Sequence, residues 1–489
     1  MKAARIVLEM LKGYEVKHVF GLPGETTLPL YNEWFDFPEI THVLVRDERS
    51  GCFAADAYAK VSFKPGVCEA PSVGATHVIP GVVEAFKAST PMIIITTDIP
   101  LHLERKNMLT GFDQASLFKG VTKESMTITK AAEIPHVFRR AFRLATTGKP
   151  GPVHIRIPMD ILEEEVVDPD IYVQKDFIKY PGQRPIANAE KIKEAVKLLV
   201  SSEKPLIICG QGVLYSQAWD EVIELAEILG IPVGTTMTGK GSFPENHPLS
   251  IGVIGARGGT SFSNEILKES DLIFYIGCNT DSAATDKWTL PSPFEDKKII
   301  HLDISEAEAG NNYPTEVILI GDAKATLRMM IDIIRKTVEK KNYNKIPRVK
   351  EIIKRKQEFV DKVKEYMNFK GRFINPLKFI KELSTVVPSD HIIVADPGVS
   401  AIYLSAFYKV KRAGRSLVFN YSLGALGYAI PAAIGAYYAS PRSCIVALTG
   451  DGSFGFVAGE LETISRIGGN IFMFQYRFKA VVLAGGRGE

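Results

Sequence analysis

Three stretches carry residues whose type and spacing can do chemistry. The first is TGDGSF, residues 449–454, which follows an apolar run and precedes the helical pattern VAGELETISRI. Glycines at 450 and 452 let a backbone approach a ligand closely, and the amides that follow can point at phosphate oxygens. Asp451, between them, is placed to hold a hard cation. Mg2+ takes few protein oxygens and completes its shell from phosphate and water. Strand, Gly450-Asp451-Gly452-Ser453 and helix together predict a diphosphate held through Mg2+; the plainer alternative is a glycine turn with a surface aspartate. The second stretch is VRDERSGCFAADAYAK, in which Glu48 stands between a strand end and a helix start. Open α/β sheets place ligands there. Glu48 is either a functional acid or a helix cap, a role Asp47 or Ser50 would fill as well. The third is SLGALGYAIPAAIGA, residues 422–436, with closely spaced glycines ahead of a small apolar helix. Close packing of helix on strand explains most of it, and Leu426 alone reads as a core leucine.

These stretches need a scaffold that brings strand ends together. Residues 1–167 alternate short apolar runs (HVFG, THVLV, PMIIITTD, GPVHIRIP) with helical patterns. Continuous apolar strands separated by helices mean a parallel sheet covered on both faces. Residues 168–187 are polar, proline-bearing and aperiodic, and read as a linker. A second α/β unit spans 186–338, with strands PLIICG, LIFYIG and KIIHLDI. A charged connector over 340–366 reads as an exposed helix. A third unit covers 370–476, with strands HIIVAD, CIVALTGD and NIFMFQY. The expected fold class is α/β: three doubly wound parallel-sheet domains, the third incomplete, followed by an unrelated tail at 477–489.

Composition sets outer limits. A chain of 489 residues is too long for one ordinary core. Its make-up, 46% hydrophobic and 24% charged, is that of a soluble globular protein, and a net charge of +3 is too small to argue for nucleic acid or membrane. The five cysteines, Cys52, Cys68, Cys209, Cys278 and Cys444, are scattered and form no metal-type pair, which fits free thiols in a reducing cytosol. The first residues read as an amphipathic helix and a strand, not a signal peptide. A cytoplasmic protein is expected.

Taken together, the segments VFGLPGETTLPLY, DERSGCFAADAYAK, VGATHVIPGVVEAFKASTPMIIIT, GPVHIRIPMDI, GDAKATL, LGYAIPAAIGA and GDGSF resemble the thiamine diphosphate enzymes of the acetolactate synthase and benzoylformate decarboxylase group. The resemblance runs over roughly residues 1–476. It implies a pyrimidine-binding first domain, a central domain and a diphosphate-binding third domain. It implies that Glu48 hydrogen-bonds the cofactor's aminopyrimidine and so favours the tautomer that removes the thiazolium proton. Leu426 matches the bulky residue that bends the cofactor, an orientation effect. Gly450, Asp451, Gly452 and Ser453 match the grip on diphosphate, with Asp451 on the Mg2+. Gln114 in GFDQASLFKG resembles a glutamine of the synthases' substrate-pocket loop. The implied chemistry is decarboxylation of a 2-oxoacid with carboligation, feeding branched-chain amino acid biosynthesis; a decarboxylase or 2-hydroxyacyl lyase of the same group is the alternative. The family builds its site from two subunits, which implies a homodimer or homotetramer. Residues 254–264 and 276–288 match the synthases' contact with FAD, but the second lacks the usual arginine, which counts against FAD. CGQGVL at 209–214 carries only a GxG.

The sequence also departs from that pattern. The family's GPGATN loop is SVGATH at 72–77 here. His77 is either a tolerated histidine at the core rim or one that tunes substrate choice. The strand ending at Asp396 lacks the family's histidine-containing continuation. Where the family closes its metal site with an asparagine pair, this chain has Arg477 and Phe478, and a guanidinium keeps its proton. The stretch FKAVVLAGGRGE resembles the opening of a sugar-nucleotide transferase. The expectation is a thiamine diphosphate protein truncated in its third domain, with an incomplete metal site, an open sheet edge after 476 and impaired catalysis.

Overall fold

The computed structural model describes residues 1–340, 342–368, 374–476 and 481–485. They form three sheets. The first contains β1 (His18–Gly21), β2 (Thr41–Leu44), β3 (Gly66–Ala70), β4 (Met92–Asp98), β5 (Ser125–Thr127) and β6 (Pro152–Pro158), ordered β2-β1-β3-β4-β6-β5 and parallel throughout. Every residue of β3, β4 and β6 is buried. That explains their uninterrupted apolar runs, because helices cover both faces. The second sheet contains β7 (Pro205–Cys209), β8 (Val233–Thr235), β9 (Ser250–Val253), β10 (Leu272–Ile276), β11 (Lys298–Asp303) and β12 (Val317–Ile320), ordered β12-β11-β10-β7-β8-β9 and again parallel. The third contains β13 (His391–Ala395), β14 (Leu417–Phe419), β15 (Cys444–Gly450), β16 (Ile471–Tyr476) and β17 (Val481–Gly485), ordered β14-β13-β15-β16-β17. Its first four strands are parallel and β17 runs antiparallel to β16. The edge of β16, expected to be open, is therefore paired. An exposed row of amides and carbonyls takes whatever extended segment can reach it.

Each sheet reverses its direction of winding beside its first strand, and ligand crevices of open α/β sheets form at such places. In the first sheet the reversal lies between β1 and β3. In the second it lies between β7 and β10, and in the third between β13 and β15. The ends of β13 and β15 are followed by Asp396 and by Asp451.

The first and third domains meet helix on helix. The Glu48–Ser62 helix packs against Ala429–Ala439 so closely that a Cβ at Gly435 would stand 1.9 Å from the carbonyl oxygen of Ala54. Within this contact lies a cluster of buried charge. Lys60 Nζ is 2.7 Å from Asp56 Oδ2 and 4.0 Å from Glu84 Oε1. The Tyr428 hydroxyl donates to Asp56 Oδ2 at 2.6 Å. Burial works against the Lys60 ammonium, yet Asp56 and then Glu84 raise its pKa above the usual lysine value.

Two connecting segments behave differently from each other. The charged connector forms the Pro347–Met367 helix, in which only Val349 and Ile352 are buried. The 168–187 segment, expected to be a linker, is instead a strap on the first domain. Tyr180 is buried and its hydroxyl donates to the Ala59 carbonyl at 2.7 Å. Its aromatic and aliphatic residues outweigh its irregular backbone.

Removing the cation from the charge cluster should be far worse than trimming a surface ion pair. Lys60→Met leaves Asp56 and Glu84 buried together without compensation. Urea unfolding should show a loss of about 3 kcal/mol or more; a loss within about 0.5 kcal/mol, the size of a surface substitution, would contradict the role given to the cluster.

Candidate active site

The third domain's crevice is organised by Asp396. This residue follows β13 and is fully buried. Its Oδ1 accepts from the backbone amides of Tyr428 at 2.8 Å and Ala429 at 3.1 Å, and its Oδ2 accepts from Thr449 Oγ1 at 2.6 Å. One carboxylate thus ties three chain segments, including the glycine-rich loop and the end of β15. Burial pushes the Asp396 carboxyl up to about 6, against hydrogen bonds from Thr449, Ala429, Tyr428 and Ser453.

The expected diphosphate grip sits above this knot. Asp451 opens the Asp451–Val457 helix and is exposed; its Oδ1 accepts from the Gly452 amide at 2.9 Å. Ser453 is buried and turned toward Asp396. At Gly450, Gly452 and Gly455 a Cβ would meet nothing within 4 Å, and none of the three has a positive φ. Neither packing nor backbone conformation therefore requires glycine at these positions. Open space that a ligand would enter does account for them. Gly427 is different: its φ of 85° and a Cβ position 3.0 Å from Phe456 and Val457 both demand glycine. Leu426 beside it is 42% exposed, so it is not the core leucine that its neighbours suggested. The loop ahead of it is fixed from the first domain, where the buried Glu84 carboxylate accepts from the amides of Ser422, Leu423 and Gly424 at 3.3, 2.6 and 3.4 Å.

Glu48 belongs to a second group of residues. Asp47 caps the helix by accepting from the Arg49 amide, which leaves the Glu48 carboxylate free of capping duty. Glu48 is 6% exposed, and a Cβ at Gly74 would lie 2.6 Å from its Oε1. His77 Nδ1 is 2.9 Å from Oε2. Ligand atoms of Asp47, Glu48 and His77 lie within 4.8 Å of one another. A cation there would face the Arg49 guanidinium, 3.6 Å from Asp47, and a helix N-terminus, so the group is a poor metal site.

Gln114, expected in a substrate pocket, is fully buried with its amide spent. It accepts from Thr96 Oγ1 at 2.5 Å and donates to the Thr97 carbonyl at 3.1 Å and to Ser72 Oγ at 3.4 Å. It acts from beneath on the 72–77 loop. Among the described residues no hydrogen bond joins Glu48 to the 450–453 turn. The two groups are linked through Arg49, which donates to the Phe456 carbonyl at 3.0 Å and lies 5.3 Å from that ring's centroid. Arg477 and Phe478 lie outside the described residues.

Comparison with known proteins shows the family of the chain. Residues 1–117 match the N-terminal thiamine pyrophosphate-binding domain of thiamine pyrophosphate enzymes, residues 192–330 their central domain and residues 396–477 their C-terminal thiamine pyrophosphate-binding domain. The chain is 36% identical over 475 residues to a probable acetolactate synthase large subunit of Methanocaldococcus jannaschii, covering 95% of this chain and 78% of the relative. It is 33% identical to an acetolactate synthase of Arthrospira platensis over 94% of this chain and 79% of the relative. The chloroplastic acetolactate synthase of Arabidopsis thaliana is 32% identical over 95% of this chain and 68% of its own length. The chain belongs to the thiamine diphosphate enzymes of the acetolactate synthase family.

The middle cleft, between the ends of β7 and β10, takes in part of the 276–288 segment that resembles an FAD contact. Gly210, Gly212, Gly277, Asp281, Asp303, Glu308 and Asp322 line it. Lys87 and Lys149 also line it, and Lys149 is paired with Glu308 at 2.6 Å. Four carboxylates outnumber the two lysines, a poor setting for a dinucleotide pyrophosphate. For thiamine diphosphate the residues fit: an open glycine turn with an exposed hard-oxygen donor in one group, and an unspent carboxylate in the other. Sequence reasoning missed Asp396 and Glu84, whose partners are backbone amides distant in sequence.

The raised Asp396 carboxyl has a measurable consequence. In the unfolded chain it titrates near 4. Between about pH 4 and 6 the native state binds the extra proton, so stability falls as pH rises through that window. Asp396→Asn keeps the acceptor for both amides and offers an NH2 to Thr449. It should flatten the slope by roughly 1 kcal/mol per pH unit in urea titrations; parallel slopes in both proteins would count against the buried-carboxyl reading.

Proposed function

We propose that this chain carries out thiamine diphosphate- and Mg2+-dependent conversion of 2-oxoacids, decarboxylation with carboligation, as acetolactate synthases do. The observation that carries this reading is the pairing of two prepared groups in one chain: the Glu48 carboxylate, buried and freed from capping, and the open Gly450–Ser453 turn bearing Asp451. The bound cofactor supplies the electron sink for the carbanion left after loss of CO2. Glu48 presents its carboxyl to a ring nitrogen and holds the proton exchanged there. Asp451 offers one oxygen to Mg2+, a cation that needs few protein ligands when phosphate and water are present. Leu426 offers an exposed apolar side chain against which a cofactor can rest, and Gln114 steadies the loop under Glu48. Among the described residues no direct hydrogen bond joins the two groups within a chain, which supports a site completed between two copies, in a homodimer or homotetramer.

A second reading, a catalytically impaired relative, is favoured by Arg477 and Phe478 where an asparagine pair was expected. CO2 release from pyruvate, with acetolactate as product, separates the two. The active reading expects cofactor-dependent turnover that Glu48→Gln lowers by about 100-fold or more. Turnover unchanged by Glu48→Gln would overturn the role of Glu48. Absence of turnover by a folded, cofactor-loaded chain would favour the impaired relative. Asp451→Asn should raise the Mg2+ concentration needed for half-saturation by about tenfold, read by titrating the metal at fixed cofactor.

A further inference from the structure

The imidazole of His77 touches the residue on which the proposed chemistry turns. Glu48 projects from the first turn of its helix onto the short Gly74–His77 helix. Gly74 admits Oε1 at a distance no side chain would allow, and His77 Nδ1 meets Oε2 at 2.9 Å. The two oxygens are therefore in different environments. One is in hydrogen bond with a titratable ring; the other lies against glycine, with no side-chain donor within hydrogen-bond distance among the described residues. The carboxylate is buried, whereas the His77 side chain is 51% exposed.

We propose that His77 is a positioning residue for Glu48, which holds Oε2 and turns Oε1 toward the cofactor. The inference rests on the reading of Glu48 given above. Other charged or titratable groups near Glu48 are Asp47 at the helix cap, Arg49 and Cys52 on its own helix, and the Cys68 thiol of β3 beside Cys52. Asp47 is engaged as the helix cap, Arg49 donates to Phe456, and burial pushes the Cys68 thiol well above its ordinary value. Among the described residues none of these bonds Oε2, so His77 is the side chain that holds it.

The test is calorimetric titration of the full chain with thiamine diphosphate at saturating Mg2+ for the wild type, His77→Ala and His77→Asn. His77→Ala should lose about fivefold in affinity, and His77→Asn, which can still donate to Oε2, should recover it. Wild-type affinity in His77→Ala would overturn the proposal, as would a His77→Asn that binds no better than His77→Ala. A wild type that binds no cofactor would defeat the reading of the site instead. The positioning role then rests on crystal structures without cofactor: the Glu48 carboxylate should leave Gly74 in His77→Ala, and an unmoved carboxylate would overturn it.

Discussion

The structure depends on one contact, the crossing of the Glu48–Ser62 and Ala429–Ala439 helices around a buried lysine. Three features make it tight. Gly435 lets the backbones touch, Phe53 and Tyr428 pack edge to face at 5.2 Å, and Lys60 lies among Asp56, Glu84 and the Tyr428 hydroxyl. Burying a lysine and two carboxylates is costly unless they meet. That cost makes the arrangement specific, because a slip of either helix would separate the charges.

The groups that could do chemistry hang from the same two helices. Glu48 is the first residue of one. The other begins just after Leu426 and Gly427, and its first amides are held by Asp396, which also reaches Thr449 beside the 450–453 turn. Glu84 joins the lysine cluster to the amides of 422–424. Packing force and site geometry thus pass through a few shared residues. A site held this way loses little entropy when a ligand arrives.

Much of this was legible in the sequence. Uninterrupted apolar strands forecast parallel sheets, and the structure places the strands HIIVA, CIVALTG and IFMFQY within a residue of their expected limits. Short strands such as Ser125–Thr127, Val233–Thr235 and Leu417–Phe419 were not visible, because three residues carry no periodicity. Glu48 and Asp451 stood out by their place between strand and helix. His77 stood out as a departure from a pattern, but its contact with Glu48 spans 29 positions and needs the folded loop. Asp56, Lys60 and Glu84 occupy core positions of helices, a local signal that charge is buried. What neutralises it, a tyrosine and a loop of another domain, lies beyond any local reading.

The central claim is that the Glu48 group and the 450–453 turn hold the two ends of one thiamine diphosphate. The most direct measurement compares binding of thiamine diphosphate and of inorganic pyrophosphate, each with Mg2+, in Glu48→Gln and Asp451→Asn. The account predicts that Asp451→Asn weakens both ligands, whereas Glu48→Gln weakens thiamine diphosphate and leaves pyrophosphate unchanged. Equal loss of both ligands in Glu48→Gln, or pyrophosphate binding untouched by Asp451→Asn, would contradict it.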